Sequence, residues 1–271
     1  MVHRVADTWL VLDREASGEL IGLRLADESV RSKLFMSAPR RGRGSAPTVT
    51  LDSGLSIVLR RYRHGGLLGG VTRGLLLGLR RPLAELDVSA RAEALGAPVP
   101  HVVCVILWPV AGPLWSAMIG TREEPYAEEL LAVWARHPPG HERYALLRRV
   151  GAAIRRLHDA GVLHPDLQVR NILLCPETPE RIVVIDLDRA RLRAARSLRP
   201  AARATNLARL IRSAIKEGLL PGTANRREIA ALVGGYVGPD RALRRALLRR
   251  APWERLKIAL HRIGYRFRSA R

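Results

Sequence analysis

The sequence predicts an α+β chain of two lobes, strand-rich over residues 1–122 and mainly helical over residues 123–271. Before residue 122, short apolar runs rich in β-branched residues alternate with Gly, Pro and Ser turns, the pattern of antiparallel strands. From Pro125 onward, apolar residues recur every three or four positions instead. The change falls over residues 121–125, and 271 residues suffice for one large or two modest domains. A cleft between two such lobes is the expected place for a ligand.

In chain order, SAPRRGRGSAP from Ser37 to Pro47 reads as a loop. PTVTL and LSIVLRRY then flank a turn at Asp52-Ser53-Gly54 as a hairpin. PLAELDVSARAEAL opens with Pro82 and is followed by Gly96, the signature of one helix, and the N-terminal part is expected to hold no other. The uncharged run from Val102 to Gly120 is long enough to cross a membrane, but Pro109, Gly112 and Pro113 at its centre make it two buried strands about a turn. Beyond the switch, PYAEELLAVWARH reads as a helix. In the next, Leu146, Val150, Ile154 and Leu157 form one apolar face opposite arginines, and Gly161 ends it. NILL and IVVIDLD bracket PETPER as a small hairpin, and the chain is helical again from about Asn206.

The net charge of +21 invites a polyanionic partner. Lysine occurs only at Lys33, Lys216 and Lys257, so every other cation is arginine, and genome base composition accounts for that as well as a ligand does. Charge alone supports no specific partner, and no nucleic acid is expected. Cys104 and Cys175 cannot make a disulfide framework, and no leader-like segment opens the chain, so a cytosolic location is the starting expectation.

The stretch HPDLQVRNILL, from His164 to Leu174, carries the chemistry. Phosphoryl transfer needs a carboxylate to orient the acceptor, ligands for Mg²⁺ and cations over the phosphates. His164, Asp166 and Asn171 have the spacing of a kinase catalytic loop, and fifteen residues after Asn171 a strand delivers Asp186 to the place of a second metal ligand. Asp188 could bind metal, pair with Arg189 or Arg191, or cap a turn. Gly42 and Gly44 suit a loop whose backbone approaches phosphates closely. The strand lysine of familiar kinases is missing. On IVLRRY the side chains alternate, so Val58, Arg60 and Tyr62 share one face and Leu59 and Arg61 the other. Arg60 is the candidate substitute, with Glu85 on the next helix as partner; a solvated charge on an edge strand is the alternative.

These residues resemble the lipopolysaccharide kinases, most closely those acting on 3-deoxy-D-manno-octulosonic acid (Kdo). The resemblance rests on GRG at 42–44, VLRRYRHGGLL from Val58, AELDVSARAEALGAPVP ending at Pro100, HPDLQVRNILL, VIDLDRAR and NLARLIRSAIK from Asn206 to Lys216. It implies a protein-kinase-like fold, ATP with Mg²⁺, and as acceptor the Kdo 4-hydroxyl of a lipid A precursor at the cytoplasmic face of the inner membrane. It also implies that an arginine-rich strand is normal here. By the same resemblance Asp166 orients the acceptor, Asn171 and Asp186 hold metal, and Gly42, Gly44, Arg60 and Glu85 hold the nucleotide. Arg170, four residues after Asp166, is placed like the tyrosine-kinase cation near the transferred group. Pro165 replaces the arginine that reads a phosphorylated activation loop, so no phosphorylation switch is expected.

Two rivals stay open: a kinase of the same fold acting on heptose, a small metabolite or protein, and an inactive polyanion-binding scaffold. Residues 241–271 carry eleven Lys or Arg against the single acid Glu254, with Leu256, Leu260 and Ile263 at helical spacing. Such a segment suits an anionic membrane surface, or equally a helix packed on its lobe with solvated arginines.

Overall fold

Continuous apolar runs, as in VVCVIL at residues 102–107, build a sheet with two buried faces in the first part of the chain. The computed structural model describes all residues except 38–39, 42–43, 63–73, 176–180, 221–225 and 251–271. It divides into two compact units, Met1–Arg91 with Pro100–Glu124, and Ala92–Val99 with Pro125–Arg271. The first unit runs β1 (Val2–Val5), β2 (Thr8–Leu12), α1 (Ser17–Gly22), α2 (Glu28–Ser37), β3 (Arg40–Arg41), β4 (Gly44–Ser45), β5 (Thr48–Thr50), β6 (Ser56–Arg61), β7 (Leu76–Leu77), α3 (Arg80–Ala94, ending in the second unit), β8 (Val102–Ala111) and β9 (Leu114–Arg122). Its antiparallel sheet has the order β1-β2-β8-β9-β6-β5, with β7 also on β9.

The run from Val102 to Gly120 is the hairpin its prolines predict, with Val105 opposite Ile119 and Leu107 opposite Ala117. On one face Leu10, Leu12, Ile57, Leu59, Ile106 and Met118 pack with Leu20 of α1. On the other Tyr62, Val105, Leu107, Ala117 and Ile119 pack with Leu86 of α3. Gly120 sits between these strands, where a Cβ would lie 2.5 Å from the Cys104 sulfur and 2.9 Å from Ile57 and Leu59 side-chain carbons.

Two expectations are corrected in this unit. It holds three described helices, because α1 and α2 precede the predicted one. Their burial signal is weak: the buried residue of α2 is Arg31, which donates to the Leu25 and Ala26 carbonyls at 2.7 and 2.6 Å and lies over the Trp108 ring at 4.1 Å. The supposed loop around Ser37 to Pro47 contains the β3–β4 pairing, with Arg41 opposite Gly44.

The second unit contains β10 (Glu128–Glu129), α4 (Leu130–Arg136), α5 (His141–Asp159), β11 (Val162–Leu163), a 3₁₀ turn (Val169–Asn171), β12 (Ile172–Leu174), β13 (Ile182–Val184), β14 (Arg191–Leu192), α6 (Pro200–Lys216), α7 (Arg226–Val237) and helical residues 241–250. The helix read from PYAEELL starts only at Leu130, because Glu128 and Glu129 pair as a strand with Leu174 and Leu173. Among the described residues no helix is long and apolar enough to cross a membrane.

Two glycines set the closest helix contact of this unit. A Cβ on Gly151 of α5 would collide with the Leu232 carbonyl of α7, and one on Gly235 with the Arg148 backbone. The same helices are joined at their other end by Arg143 donating to the buried Glu228 carboxylate at 2.7 Å. Gly235→Ala should therefore destabilise the protein by about 3 kcal/mol in urea unfolding, since the clash is with backbone. Gly234→Ala, with nothing within 4 Å, should be neutral or stabilising by up to about 1 kcal/mol.

Candidate functional site

The segment after β11 folds around one buried imidazole. His164 is fully buried, its Nδ1 accepts the Asp166 N–H at 3.1 Å, and its Nε2 lies 3.0 Å from the Ile185 carbonyl. Nδ1 is committed as acceptor, so the proton is on Nε2 and is donated to Ile185. Burial lowers the His164 pKa and keeps the ring neutral. Asn171 closes the circuit: its Nδ2 donates to the Asp166 carbonyl at 2.8 Å, and its own carbonyl accepts the Ile185 N–H at 3.0 Å. Asp166, Asn171 and the residue before Asp186 are thus held by four hydrogen bonds around His164.

One face of α6 grips this loop from below. Asn206 accepts the His164 N–H at 3.2 Å and donates to the His164 carbonyl at 2.6 Å. The Ser213 hydroxyl accepts the Val169 N–H at 3.0 Å. Glu217, just past the helix, accepts from Arg170 through both oxygens, at 3.2 and 2.8 Å, while Glu129 lies 3.9 Å from the same guanidinium. Positions 206, 213 and 217 share a helix face, which is why one element can hold three points of the loop.

A second buried histidine supports Asn206. Asn206 Oδ1 accepts from His158 Nε2 at 3.0 Å, and the Tyr236 hydroxyl, 2.7 Å from His158 Nδ1, donates to it. Arg203 donates to that hydroxyl at 3.3 Å and to Asp159 at 2.8 Å. Burial lowers the His158 pKa to about 4 and pushes the Tyr236 phenol up to about 12, so both groups stay neutral and keep these roles.

The sequence-selected residues fall into two groups. In the second unit, Gln168 donates to Asp166 Oδ1, leaving Oδ2 without a hydrogen bond to described residues. Asn171 has its Nδ2 pinned, so its Oδ1 is free to act as an oxygen ligand. Asp186 lies past the end of β13 with φ of 65°, a left-handed conformation that costs a non-glycine residue about 1–2 kcal/mol. One carboxylate and one carboxamide oxygen held on a common frame fit Mg²⁺, which takes one or two protein oxygens and completes its shell with phosphates and water. Arg170 is half exposed and paired to Glu217.

In the first unit, Arg60 donates to Glu85 at 2.6 Å; the carboxylate is buried and the guanidinium about one-third exposed. The same guanidinium lies 5.2 Å from the Tyr62 ring centre. The strand is not an edge, since β6 lies between β9 and β5, so the solvated-charge alternative does not describe Arg60. Gly44 pairs with Arg41 in the β3–β4 ladder, and Gly42 lies outside the described residues. So do Leu256, Leu260 and Ile263 of the basic C-terminal segment.

Sequence reading missed His158, Asn206, Ser213, Glu217 and Tyr236. A signal existed for three: His158 continues the apolar row Leu147, Gly151, Ile154, and Asn206 and Ser213 sit in phase with Leu210 and Ala214. A polar residue inside an apolar helix face needs a partner.

The lipopolysaccharide kinase (Kdo/WaaP) family model matches residues 29–236. The 3-deoxy-D-manno-octulosonic acid kinase of Vibrio cholerae is 30% identical over 199 residues, 72% of this chain and 80% of that one. Those of Actinobacillus succinogenes and Xylella fastidiosa are 31% and 33% identical, over 69% and 65% of this chain and 78% and 68% of theirs. Among solved structures, WaaP in complex with acyl carrier protein superposes with a TM-score of 0.61 at 23% identity, covering 92% of this chain and 98% of that one. At that identity the likeness is one of fold, and the fold is kinase-like.

The buried His158 makes stability depend on pH. Its folded pKa near 4 lies below the ordinary 6.5, so the unfolded chain takes up the proton first as pH falls. The contribution is complete above pH ~6.5 and should be lost progressively down to about pH 4. Melting temperatures across that range, with NMR of the His158 ring, test it; a ring titrating near 6.5 in the folded protein would contradict the assignment.

Proposed function

The chain belongs to the lipopolysaccharide kinase (Kdo/WaaP) family, and on that premise we propose that it transfers the γ-phosphoryl group of ATP to the 4-hydroxyl of the Kdo sugar on a lipid A precursor. It is a phosphotransferase acting on a sugar hydroxyl. The observation that supports phosphoryl transfer is the hydrogen-bonded circuit through His164, which holds Asp166, Asn171 and the residue before Asp186 on one frame, while the choice of Kdo rests on the relatives.

In this reading Asp166 presents Oδ2 to the acceptor hydroxyl, orients its oxygen and receives its proton, while Gln168 occupies Oδ1. Asn171 and Asp186 would hold Mg²⁺, which would supply positive charge to offset that of the triphosphate. Arg60, fixed by Glu85, carries positive charge toward the nucleotide phosphates in place of the usual lysine, and Gly42 and Gly44 cover them. Arg170 supplies a cation near the transferred group, in an orientation set by Glu217. The acceptor is lipid-borne, and the protein works as a peripheral enzyme on the cytoplasmic face of the inner membrane. A net charge of +21 attracts the protein to an anionic surface without selecting that surface over other polyanions.

Phosphate transfer from ATP to a Kdo-bearing lipid A precursor should be measurable with purified protein. Asp166→Ala and Asp186→Ala should each lower turnover at least about 10³-fold while both variants keep the wild-type melting curve. Transfer to a heptose acceptor but not to Kdo would overturn the acceptor assignment alone. Absence of transfer to any acceptor, with salt-sensitive polyanion binding intact in both variants, would favour the inactive scaffold.

A further inference from the structure

Immediately after Asp186 and Asp188 the chain reads RARLRAARSLR, with arginine at 189, 191, 193, 196 and 199 and no acidic residue. All five are exposed, and none has a carboxylate, carbonyl or ring partner for its guanidinium among the described residues. Many other arginines of the same unit are spoken for: Arg136 by Glu128, Arg143 by Glu228, Arg155 by Asp159 and Asp240, Arg170 by Glu217 and Arg203 by Asp159.

The backbone of this run is fastened before any ligand arrives. β14 pairs with β11, so Arg191 stands opposite Leu163, the residue before His164. The Arg193 and Arg196 N–H groups donate to the Gly161 and Asp159 carbonyls at 2.9 and 2.7 Å. Arg189 and Arg196 adopt left-handed φ of 60° and 58°. Gly161, with φ of 88°, lets the run approach so closely that a Cβ there would strike the Arg193 carbonyl. A freely solvated basic tail needs none of this. Here a row of guanidinium groups is carried on backbone bonded directly to the strand that leads into the catalytic loop.

We propose that Arg191 and Arg193, with Arg189, Arg196 and Arg199 around them, bind the phosphate groups of the acceptor lipid and so select a phosphorylated glycolipid. Planar guanidinium forks without a carboxylate partner suit bidentate contact with phosphate oxygens. Arg191 stands opposite Leu163, one residue before His164, so the row begins at the strand that enters the catalytic loop, and the acceptor's phosphates would meet it there. The inference rests on the acceptor class proposed above, with which it shares the lipid but not the chemistry of transfer.

The test compares Arg191→Gln/Arg193→Gln with Arg226→Gln/Arg227→Gln, which removes the same charge from exposed positions on α7. Binding is read by co-sedimentation with vesicles carrying the bisphosphorylated Kdo-lipid A precursor, its dephosphorylated form, or phosphatidylglycerol at equal charge. The 191/193 pair should weaken binding to the phosphorylated precursor at least about tenfold, equivalent to about 1.4 kcal/mol, with little change on the other two vesicles. In turnover, the same pair should raise KM for the phosphorylated acceptor without a matching rise in KM for ATP. Equal loss on phosphatidylglycerol, or equal loss in the α7 control, would overturn the proposal in favour of a general anionic surface. So would unchanged binding to the phosphorylated precursor. Because binding is read without turnover, failure of phosphate transfer to Kdo would count against the acceptor reading and leave this result standing.

Discussion

A neutral imidazole in a dry interior is the constraint on which the C-terminal unit depends. His164 joins Asp166 to Ile185 only while Nδ1 accepts and Nε2 donates, so adding a proton would set donor against donor at Asp166. Burial enforces the neutral form, and Asn206 of α6 fixes the buried residue through both its N–H and its carbonyl. The glycine contact of α5 with α7 brings His158 of α5 against Tyr236 of α7, next to Gly235, and so supports the hydrogen bond from His158 to Asn206. His158 repeats the device one layer deeper, passing its constraint through Asn206.

Such a frame also explains how local strain is tolerated. Asp186, Arg189 and Arg196 all adopt left-handed backbone conformations that are individually unfavourable. Each lies close to a tie: Ile185 to His164 and Asn171, Ala190 to Leu187, Arg196 to Asp159. The tied backbone offsets the strain, and the strained positions coincide with the residues assigned to metal and acceptor. In the first unit the equivalent anchor is electrostatic. The Glu85 carboxylate is buried, and Arg60, held to it at 2.6 Å, leaves part of its guanidinium exposed.

The charge of +21 looks uniform in composition but is not uniform in use. Some arginines hold the fold by neutralising buried carboxylates, as Arg143 does for Glu228. Arg31 makes no ion pair among the described residues and instead satisfies backbone carbonyls while lying over a tryptophan ring. Others, at positions 189, 191, 193, 196 and 199, have no such partner among the described residues. Composition cannot separate these classes, because each arginine carries the same charge and differs only in what surrounds it.

By itself the sequence determined what is local along the chain. The hairpins around Gly54 and Gly112, the helix ending at Gly96, the amphipathic α5 and the spacing of Asp166, Asn171 and Asp186 each follow from a period, a turn residue or a fixed offset. Arg60 and Glu85 were legible for the same reason, since strand alternation and one helix start put them on facing sides. Only the tertiary structure decided the rest. His158 meets Tyr236 across 78 positions and Asn206 across 48, while Asn206 meets His164 across 42. No periodicity encodes such a meeting. Which polar residue of an apolar face finds a partner depends on how helices pack, and that packing forms only when the whole unit closes.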